Sequence, residues 1–381
     1  MLNPSDTYAG VYYHIPFCRK ACHYCNFHFS TSLQLKNELV EALLKEIDIT
    51  RGKNTRLITS VYFGGGTPSL LLRKELRALM EKTRASFKLL PDAEISFEVN
   101  PDDMNEASVP FWKQQGVNRL SIGIQSFRDE DLNWMNRAHT SSQAMEALSL
   151  AVKAGFTNYS IDLIYGVPGL SDEAWRDNIE KALQLGVPHI SAYALTVEPH
   201  TPLDYMIKKG KKDPANTEQQ ARQFIMLMEM MDNAGYEHYE ISNFALPGMR
   251  SRHNSSYWQG IPYFGFGPSA HSYDGYSRYW NRSNNMEYIE SIESGIIPYD
   301  KEDLTENQRL NEYIMTSLRT MEGINLDAIQ QKWGAEKAGE ITLNSNKYVS
   351  RGMLVKKDNR IILTREGKLF ADGIASDLFQ L

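Results

Sequence analysis

The sequence predicts an α/β protein whose main domain is an incomplete (β/α)6 barrel and whose smaller carboxyl-terminal domain is also α/β. Three observations support this fold class. Short runs rich in β-branched or aromatic residues recur six times within residues 1–240, each bounded by turn residues. Amphipathic stretches of helical period separate these runs. From about residue 301 the pattern changes to helices and one short hairpin. Because parallel strands need a crossover connection, usually a helix, the alternation predicts a parallel sheet.

The barrel elements follow one another in a regular order within residues 1–240. The six predicted strands cover residues 10–17, 58–63, 95–99, 117–124, 159–165 and 189–195. The predicted helices between them cover residues 35–49, 70–87, 103–115, 141–154 and 172–185. In such architectures the loops at the carboxyl ends of the strands converge, so we expect the functional residues there.

The rest of the chain divides at about residue 301. Residues 241–300 form a glycine-rich and aromatic connection. Residues 301–381 are predicted to hold helices over 306–318 and 325–333, two strands around Asp358-Asn359, and a last helix that opens at residues 364–367. This order resembles a winged-helix module, which we interpret as a cover over the barrel or as a surface for a partner.

Composition and charge exclude several classes of protein. The chain has 381 residues, of which 42% are hydrophobic, so it can bury a large core. Its net charge of −6 and its lack of a basic stretch argue against a nucleic-acid partner. No uninterrupted apolar run is long enough to span a membrane, and residues 1–10 lack the pattern of a signal peptide. We therefore expect a soluble, cytoplasmic protein.

The three cysteines, Cys18, Cys22 and Cys25, lie within one short segment after the first predicted strand. Three thiolates spaced as CxxxCxxC can bind three irons of a [4Fe–4S] cluster and leave the fourth iron open to another ligand. The alternative is a zinc site completed by His23 or His28. Unpaired thiols clustered for a metal fit a reducing compartment.

A second signal follows the second predicted strand, where Gly64, Gly65, Gly66, Thr67 and Pro68 form a turn. Three consecutive glycines allow the backbone to approach a ligand closely and to adopt positive φ. The alternative is a plain turn before the next helix.

Polar residues end three further strands: Glu98, Gln125 and Asp162. Each of them alone is as well explained by a helix cap or an ion pair. Asp162 lies in an otherwise apolar strand, and an unpaired buried carboxylate is costly, so it needs a partner. Arg137 is the candidate partner.

The cysteine triplet after the first strand and the glycine turn after the second together resemble the radical S-adenosylmethionine (SAM) superfamily. The resemblance implies an open six-stranded barrel in which SAM chelates the open iron of a [4Fe–4S] cluster. An electron from the cluster then splits SAM and yields a 5′-deoxyadenosyl radical. The resemblance also implies that the glycine turn holds the amino group of SAM.

Segments 12–18, 97–99, 123–127, 136–137 and 161–166 look like one branch of that superfamily, which contains anaerobic coproporphyrinogen III dehydrogenases and heme chaperones. The residues that the resemblance places in contact with cluster-bound SAM are Tyr12, Gly65, Glu98 and Thr196. Those that match a second SAM site of the dehydrogenases are Tyr24, Gly66, Thr67, Gln125, Arg137 and Asp162.

Two features separate the members of this branch. Phe27 stands where the dehydrogenases have a fourth cysteine, and this departure matches the heme chaperones. The string from Arg252 to Trp258 contains HNxxYW, which is similar to a signature of the same chaperones. It implies that His253 ligates heme iron, and Tyr257 offers a flat face to a porphyrin. The alternative for His253 is a hydrogen-bonded structural residue.

Three functions remain open at this stage. The first is a heme chaperone that binds [4Fe–4S], SAM and heme and delivers heme to a client protein. The second is an oxygen-independent coproporphyrinogen III oxidase, and the third is a radical SAM enzyme with another substrate. Peripheral membrane association through a client and a homodimer are left open as well.

Overall fold

The computed structural model of the protein describes residues 7–52 and 55–380. Most of the amino-terminal stretch 1–10 considered above therefore lies outside the described residues. The parallel strands are β1 (Tyr8–Ile15), β2 (Leu57–Gly65), β3 (Leu89–Val99), β4 (Arg119–Gln125), β5 (Tyr159–Tyr165) and β6 (His189–Ala194). They lie side by side in chain order, and each pairs in parallel with the next. The predicted parallel sheet is confirmed.

Helices connect these strands, as the alternation predicted. They are α1 (Lys36–Thr50), α2 (Arg73–Ser86), α3 (Ser108–Gln114), α4 (Asp129–Met135), α5 (Ser141–Lys153) and α6 (Asp172–Gln184). Local sequence explains their ends: Thr140 caps α5 in a capping box with Gln143, and the Ser171 hydroxyl caps α6. The short helix α4 was not predicted. Its C-cap is Asn136, whose φ of 62° lies in the left-handed region.

Further helices and strands follow β6, both within residues 202–240 and within the connection predicted over residues 241–300. After β6 come α7 (Pro202–Lys208), α8 (Thr217–Asn233), β7 (Glu237–Glu240), β8 (Asn243–Ala245) and α9 (Arg252–Trp258). They are followed by β9 (Tyr263–Phe266), β10 (His271–Tyr273), β11 (Ser277–Asn281), α10 (Asn285–Glu293) and β12 (Tyr299–Asp303). Strands β8 and β7 extend the sheet beyond β6, and β9 to β12 extend it beyond β1. The sheet stays open, because β12 and β7 are its two edges.

The carboxyl-terminal part contains the predicted helices and hairpin in the predicted order, and it also contains a further helix over Ala335–Val349 that was not predicted. It consists of α11 (Glu306–Leu318), β13 (Ile324–Asn325), α12 (Leu326–Trp333), α13 (Ala335–Val349), β14 (Leu354–Lys357), β15 (Arg360–Leu363), α14 (Arg365–Lys368) and α15 (Ala371–Asp377). Asp358 and Asn359 both have positive φ, as a two-residue hairpin turn requires. A separate buried cluster lies here, from Leu310 to Leu378. The exact division at residues 240 and 300 stays a prediction.

Within the described ranges, every helix is either too short or too polar to cross a membrane.

A buried carboxylate fastens the added strands to the barrel. Glu46 of α1 accepts hydrogen bonds from the Tyr288 hydroxyl at 2.6 Å, the Gly267 N–H at 2.9 Å and the Asn281 amide at 2.7 Å. Burial raises the pKa of Glu46 to about 7. Three donors from the segment after β9, from β11 and from α10 therefore converge on one side chain of α1.

Replacing Glu46 with alanine will leave the Tyr288 hydroxyl and the Gly267 N–H without this acceptor, while the Asn281 amide keeps its bond to the Gly267 carbonyl at 2.9 Å. A buried donor that loses its partner costs roughly 1–3 kcal/mol, so we expect the free energy of unfolding to fall by at least ~2 kcal/mol in urea denaturation. Glu41→Ala, on the exposed side of the same helix, should change it by no more than about 0.5 kcal/mol. Equal stability of the two variants would refute this role of Glu46.

Candidate functional site

The loop after β1 carries the three cysteines and is closed at its base by backbone pairing. The Cys18 N–H donates to the Ser30 carbonyl at 3.0 Å, and the Ser30 N–H donates to the Pro16 carbonyl at 2.7 Å. Within the loop, the Cys25 N–H donates to the Cys22 carbonyl at 3.3 Å. This closure holds all three thiols at the carboxyl edge of the parallel sheet.

The three cysteines are free thiols with polar neighbours. The Thr67 hydroxyl donates to Cys18 Sγ at 3.5 Å, and Arg137 Nη1 donates to Cys22 Sγ at 3.2 Å. Burial raises the pKa of Cys18 and raises that of Cys25 to about 11. A metal must therefore displace protons from these thiols when it binds.

A cavity of about 450 Å³ lies at this edge. Every predicted site residue except Tyr12 and His253 lines it. These residues are Cys18, Cys22, Tyr24, Cys25, Gly65, Gly66, Thr67, Glu98, Gln125, Arg137, Asp162 and Thr196. The expectation that strand-end residues converge on one mouth is met by the geometry, while the role of each residue stays a prediction.

The glycine turn packs directly on the start of the cysteine loop. A Cβ on Gly66 would lie 2.7 Å from both the backbone N and O of Phe17. Gly65 has a φ of 107°, and its N–H donates to Glu98 Oε2 at 3.2 Å. Tyr62 donates to the other oxygen at 2.7 Å. Burial raises the pKa of Glu98 to about 7. Glycine at these positions is therefore required by close packing and by backbone conformation.

Arg137 links the thiols to the strand ends. Besides Cys22, its guanidinium donates to Asn100 Oδ1 at 2.8 Å and to the Gly123 carbonyl at 2.7 Å. Its buried Nε has no hydrogen-bond partner among the described residues. Asn100 in turn donates to the Thr67 hydroxyl at 3.2 Å. Asn100 directly follows β3, two residues after Glu98, so the sequence places it at this edge, but the sequence assigned it no role in the site.

Arg137 was the expected partner of Asp162, and that pairing is wrong. The guanidinium donates to Cys22, Asn100 and Gly123 instead. Burial raises the pKa of Asp162 to about 6, and the Ser191 hydroxyl and the more distant charge of Arg137 oppose that shift. The carboxyl of Asp162 thus lies next to the cavity without an ion pair to any described residue.

Tyr12 and His253 lie outside this cavity. The Tyr12 hydroxyl is hydrogen-bonded to His14 Nδ1 at 3.1 Å. His253 is 1% exposed; its Nδ1 is bonded to the Ser60 hydroxyl at 2.8 Å and its Nε2 to the Tyr257 hydroxyl at 2.9 Å. Burial lowers the pKa of His253 to about 3. Both ring nitrogens are engaged in this conformation, so heme ligation by His253 stays a prediction that requires the ring to leave these bonds.

A second, larger cavity of about 1260 Å³ lies between the extended sheet and the carboxyl-terminal helices. Aromatic side chains dominate its walls: Tyr12, Phe27, Tyr257, Trp258, Tyr263, Tyr273, Tyr313 and Trp333. Asn26 and Phe27 line both cavities. Phe27 is 67% exposed, so a large apolar side chain stands at the border between the two spaces.

The residues at the carboxyl edge fit a [4Fe–4S] cluster and SAM. Three free thiols, a glycine turn, and an unpartnered buried guanidinium nitrogen surround one cavity. Nowhere in residues 7–52 and 55–380 are three or more His, Cys, Asp or Glu side chains already gathered around a single point. A cube takes one thiolate for each of three irons, which three cysteines of one loop can supply.

An open parallel α/β sheet with three cysteines and a glycine turn at its carboxyl edge defines a radical SAM protein. The family model described as "Radical SAM superfamily" matches residues 12–188, and the model described as "HemN C-terminal domain" matches residues 304–370. The chain belongs to the HemW family of this superfamily. It is 34% identical to the heme chaperone HemW of Bacillus subtilis over 96% of this chain and 97% of that protein.

Other relatives agree with this assignment. The heme chaperone HemW of Mycobacterium tuberculosis is 34% identical over 97% of this chain and 94% of that protein. That of Escherichia coli is 35% identical over 69% of both chains. Among solved structures, coproporphyrinogen III oxidase (HemN) from Escherichia coli superimposes with a TM-score of 0.85 at 24% identity, covering 99% of this chain and 91% of that chain. This last similarity shows the shared fold.

Proposed function

We propose that the protein is a heme chaperone that holds a [4Fe–4S] cluster and SAM at the carboxyl edge of its sheet and carries heme to a client protein. The observation that carries this proposal is the similarity, over nearly the whole chain, to relatives named heme chaperone HemW. Phe27 supports it, because a phenylalanine stands where the dehydrogenases of the same branch have a fourth cysteine.

In this proposal Cys18, Cys22 and Cys25 hold the cluster, which supplies an open iron and an electron to SAM. Gly65, Glu98 and Thr196 surround SAM on the cluster. The carboxyl of Glu98, already an acceptor for two donors, suits the ribose hydroxyls of SAM. Tyr24, Gly66, Thr67, Gln125 and Asp162 lie where a second SAM would sit, and Arg137 offers its unpartnered Nε to an anionic group.

The remaining parts of the proposal concern location and partners. Three thiols kept for a metal cluster fit a reducing compartment, so we place the protein in the cytoplasm. A client that receives the heme, a membrane location through that client, and a homodimer stay predictions from the sequence.

The proposal is tested by comparing transfer of heme with turnover of a porphyrinogen. Full-length protein with a reconstituted cluster is kept anaerobic, loaded with hemin and mixed with apomyoglobin as acceptor. We expect hemin bound to the protein to give its own absorption band. After apomyoglobin is added, this band should be replaced by the spectrum of heme-loaded myoglobin. The same preparation, given coproporphyrinogen III, SAM and reductant, should form no protoporphyrinogen. Appreciable turnover, or failure to bind hemin, would overturn the chaperone assignment.

A further inference from the structure

The walls of the larger cavity contain three histidines that differ in the freedom of their rings. His14 is 5% exposed and uses both ring nitrogens, Nδ1 with Tyr12 and Nε2 with the His28 carbonyl. His28 uses Nε2 in a bond to Asn285 at 2.7 Å. His271 on β10 is exposed, and its ring nitrogens form no hydrogen bond with any described residue. Of the three, His271 is the one whose two ring nitrogens both lack a hydrogen bond to any described residue, so its imidazole can bind a metal without breaking one.

The strand register places His271 in an environment suited to a flat ligand. His271 pairs with Trp280 across β10 and β11, and Tyr273 pairs with Arg278, so these four side chains share one face of the hairpin. The rings of His271 and Trp280 lie 6.2 Å apart and nearly parallel.

The wall formed by α11 and α12 carries positive charge. Arg309 of α11 and Lys332 of α12 line the cavity, and neither forms an ion pair within the described ranges. Burial lowers the pKa of Lys332, and the charge of the nearby Arg309 lowers it further. Arg278 is paired with Glu312 at 2.6 Å, and Glu312 is the acidic residue of the described lining. Two neighbouring free cations suit the two carboxylates on one edge of a heme.

The aromatic walls and the size of the cavity complete the fit. At about 1260 Å³ the cavity exceeds the ~300–1,000 Å³ of ordinary small-molecule pockets. A ligand with an apolar plane would pack against the aromatic walls.

We infer that heme binds in this cavity with His271 as its iron ligand and with Arg309 and Lys332 at its propionates. The inference rests on the proposed chaperone function and assigns the site of the cargo. It places the heme beside the cysteine loop, since Phe27 borders both cavities. It also leaves His253 in its structural role, bonded to Ser60 and Tyr257.

The test separates iron ligation from the shape of the cavity. Full-length protein is titrated with hemin and, in parallel, with metal-free protoporphyrin IX. His271→Ala should shift the Soret band of bound hemin and weaken hemin binding at least tenfold, yet leave the affinity for protoporphyrin IX unchanged. His200→Asn replaces an exposed histidine outside the cavity and should match the wild type. Asparagine is chosen because residue 200 has a φ of 67°.

The cations are tested with the double variant Arg309→Gln, Lys332→Gln. It should weaken binding of hemin and of protoporphyrin IX at least tenfold, and it should bind hemin dimethyl ester as the wild type does, because the ester has no carboxylates. An equal loss of ester binding would refute the propionate contact.

The outcomes distinguish this inference from the proposed function. If wild-type protein binds no hemin, both fail. If it binds hemin and His271→Ala keeps the same spectrum and affinity, the chaperone function stands and the His271 assignment is wrong. Loss of protoporphyrin IX binding in His271→Ala would likewise remove His271 as an iron ligand, and loss of the hemin spectrum in His253→Ala alone would transfer that role to His253.

Discussion

Replacing Cys22 with serine will abolish the iron–sulfur cluster. The three cysteines are the thiols of this chain, so the variant retains two anchors for a cube that needs three. Serine is a harder ligand than a thiolate and does not replace it. Arg137 also loses the sulfur to which it donates. We expect iron and acid-labile sulfide to fall from about four each per chain to less than about one, with loss of the broad visible absorption.

A suitable control is Asn26→Ser, which places the same side chain in the same loop at an exposed position. It should retain the full iron and sulfide content. Far-UV circular dichroism of both apoproteins should coincide, because the loop is closed by backbone bonds between Cys18, Ser30 and Pro16 that the substitution does not touch. A Cys22→Ser protein with four irons would show that the ligand set is wrong. A wild-type protein with one zinc and no sulfide would refute the cluster itself.

The parts of the fold that the sequence predicts are those with strong local signals. The parallel strands β1 to β6 are runs of residues such as Val61, Phe63 and Ile161, whose side chains are wholly buried. The hairpin around Asp358-Asn359 follows from turn chemistry. The cysteine and glycine motifs define the site because they follow adjacent strands, and the carboxyl ends of parallel strands meet at one edge.

The features that escape prediction depend on contacts between distant segments. Strand β10 has three residues, too few to show alternation, and it forms because β9 pairs with β1 and offers an edge. The burial of His253 depends on Ser60, far away in sequence. Asn100 is part of the site because it is hydrogen-bonded to Arg137 and to Thr67, which lie on two other loops.

Only glycine fits at position 66, because a side chain there would collide with backbone atoms, which cannot move by rotation of a side chain. The Gly66 N–H donates to the Ile15 carbonyl at 2.9 Å, so the turn is hydrogen-bonded to the end of β1. A Cβ there would lie 2.7 Å from two backbone atoms of Phe17 and 2.9 Å from the Ile15 oxygen. Since the obstructing atoms are backbone, either the glycine turn or the segment from Ile15 to Cys18 must move.

Gly66→Ala should therefore damage stability and cofactor binding together. Overpacking of this kind should lower the free energy of unfolding of the apoprotein by about 1–3 kcal/mol. Because Cys18 directly follows Phe17, we also expect the iron content after reconstitution to fall by at least half and SAM affinity to weaken at least tenfold. Gly339→Ala is the matched control. Gly339 is exposed on α13 and its Cβ would meet no atom within 4 Å, so the substitution should raise the free energy of unfolding by roughly 0.5–1 kcal/mol and leave iron and SAM binding unchanged. If Gly66→Ala matched the wild type in SAM affinity and iron content, the glycine turn would not be part of the cofactor site.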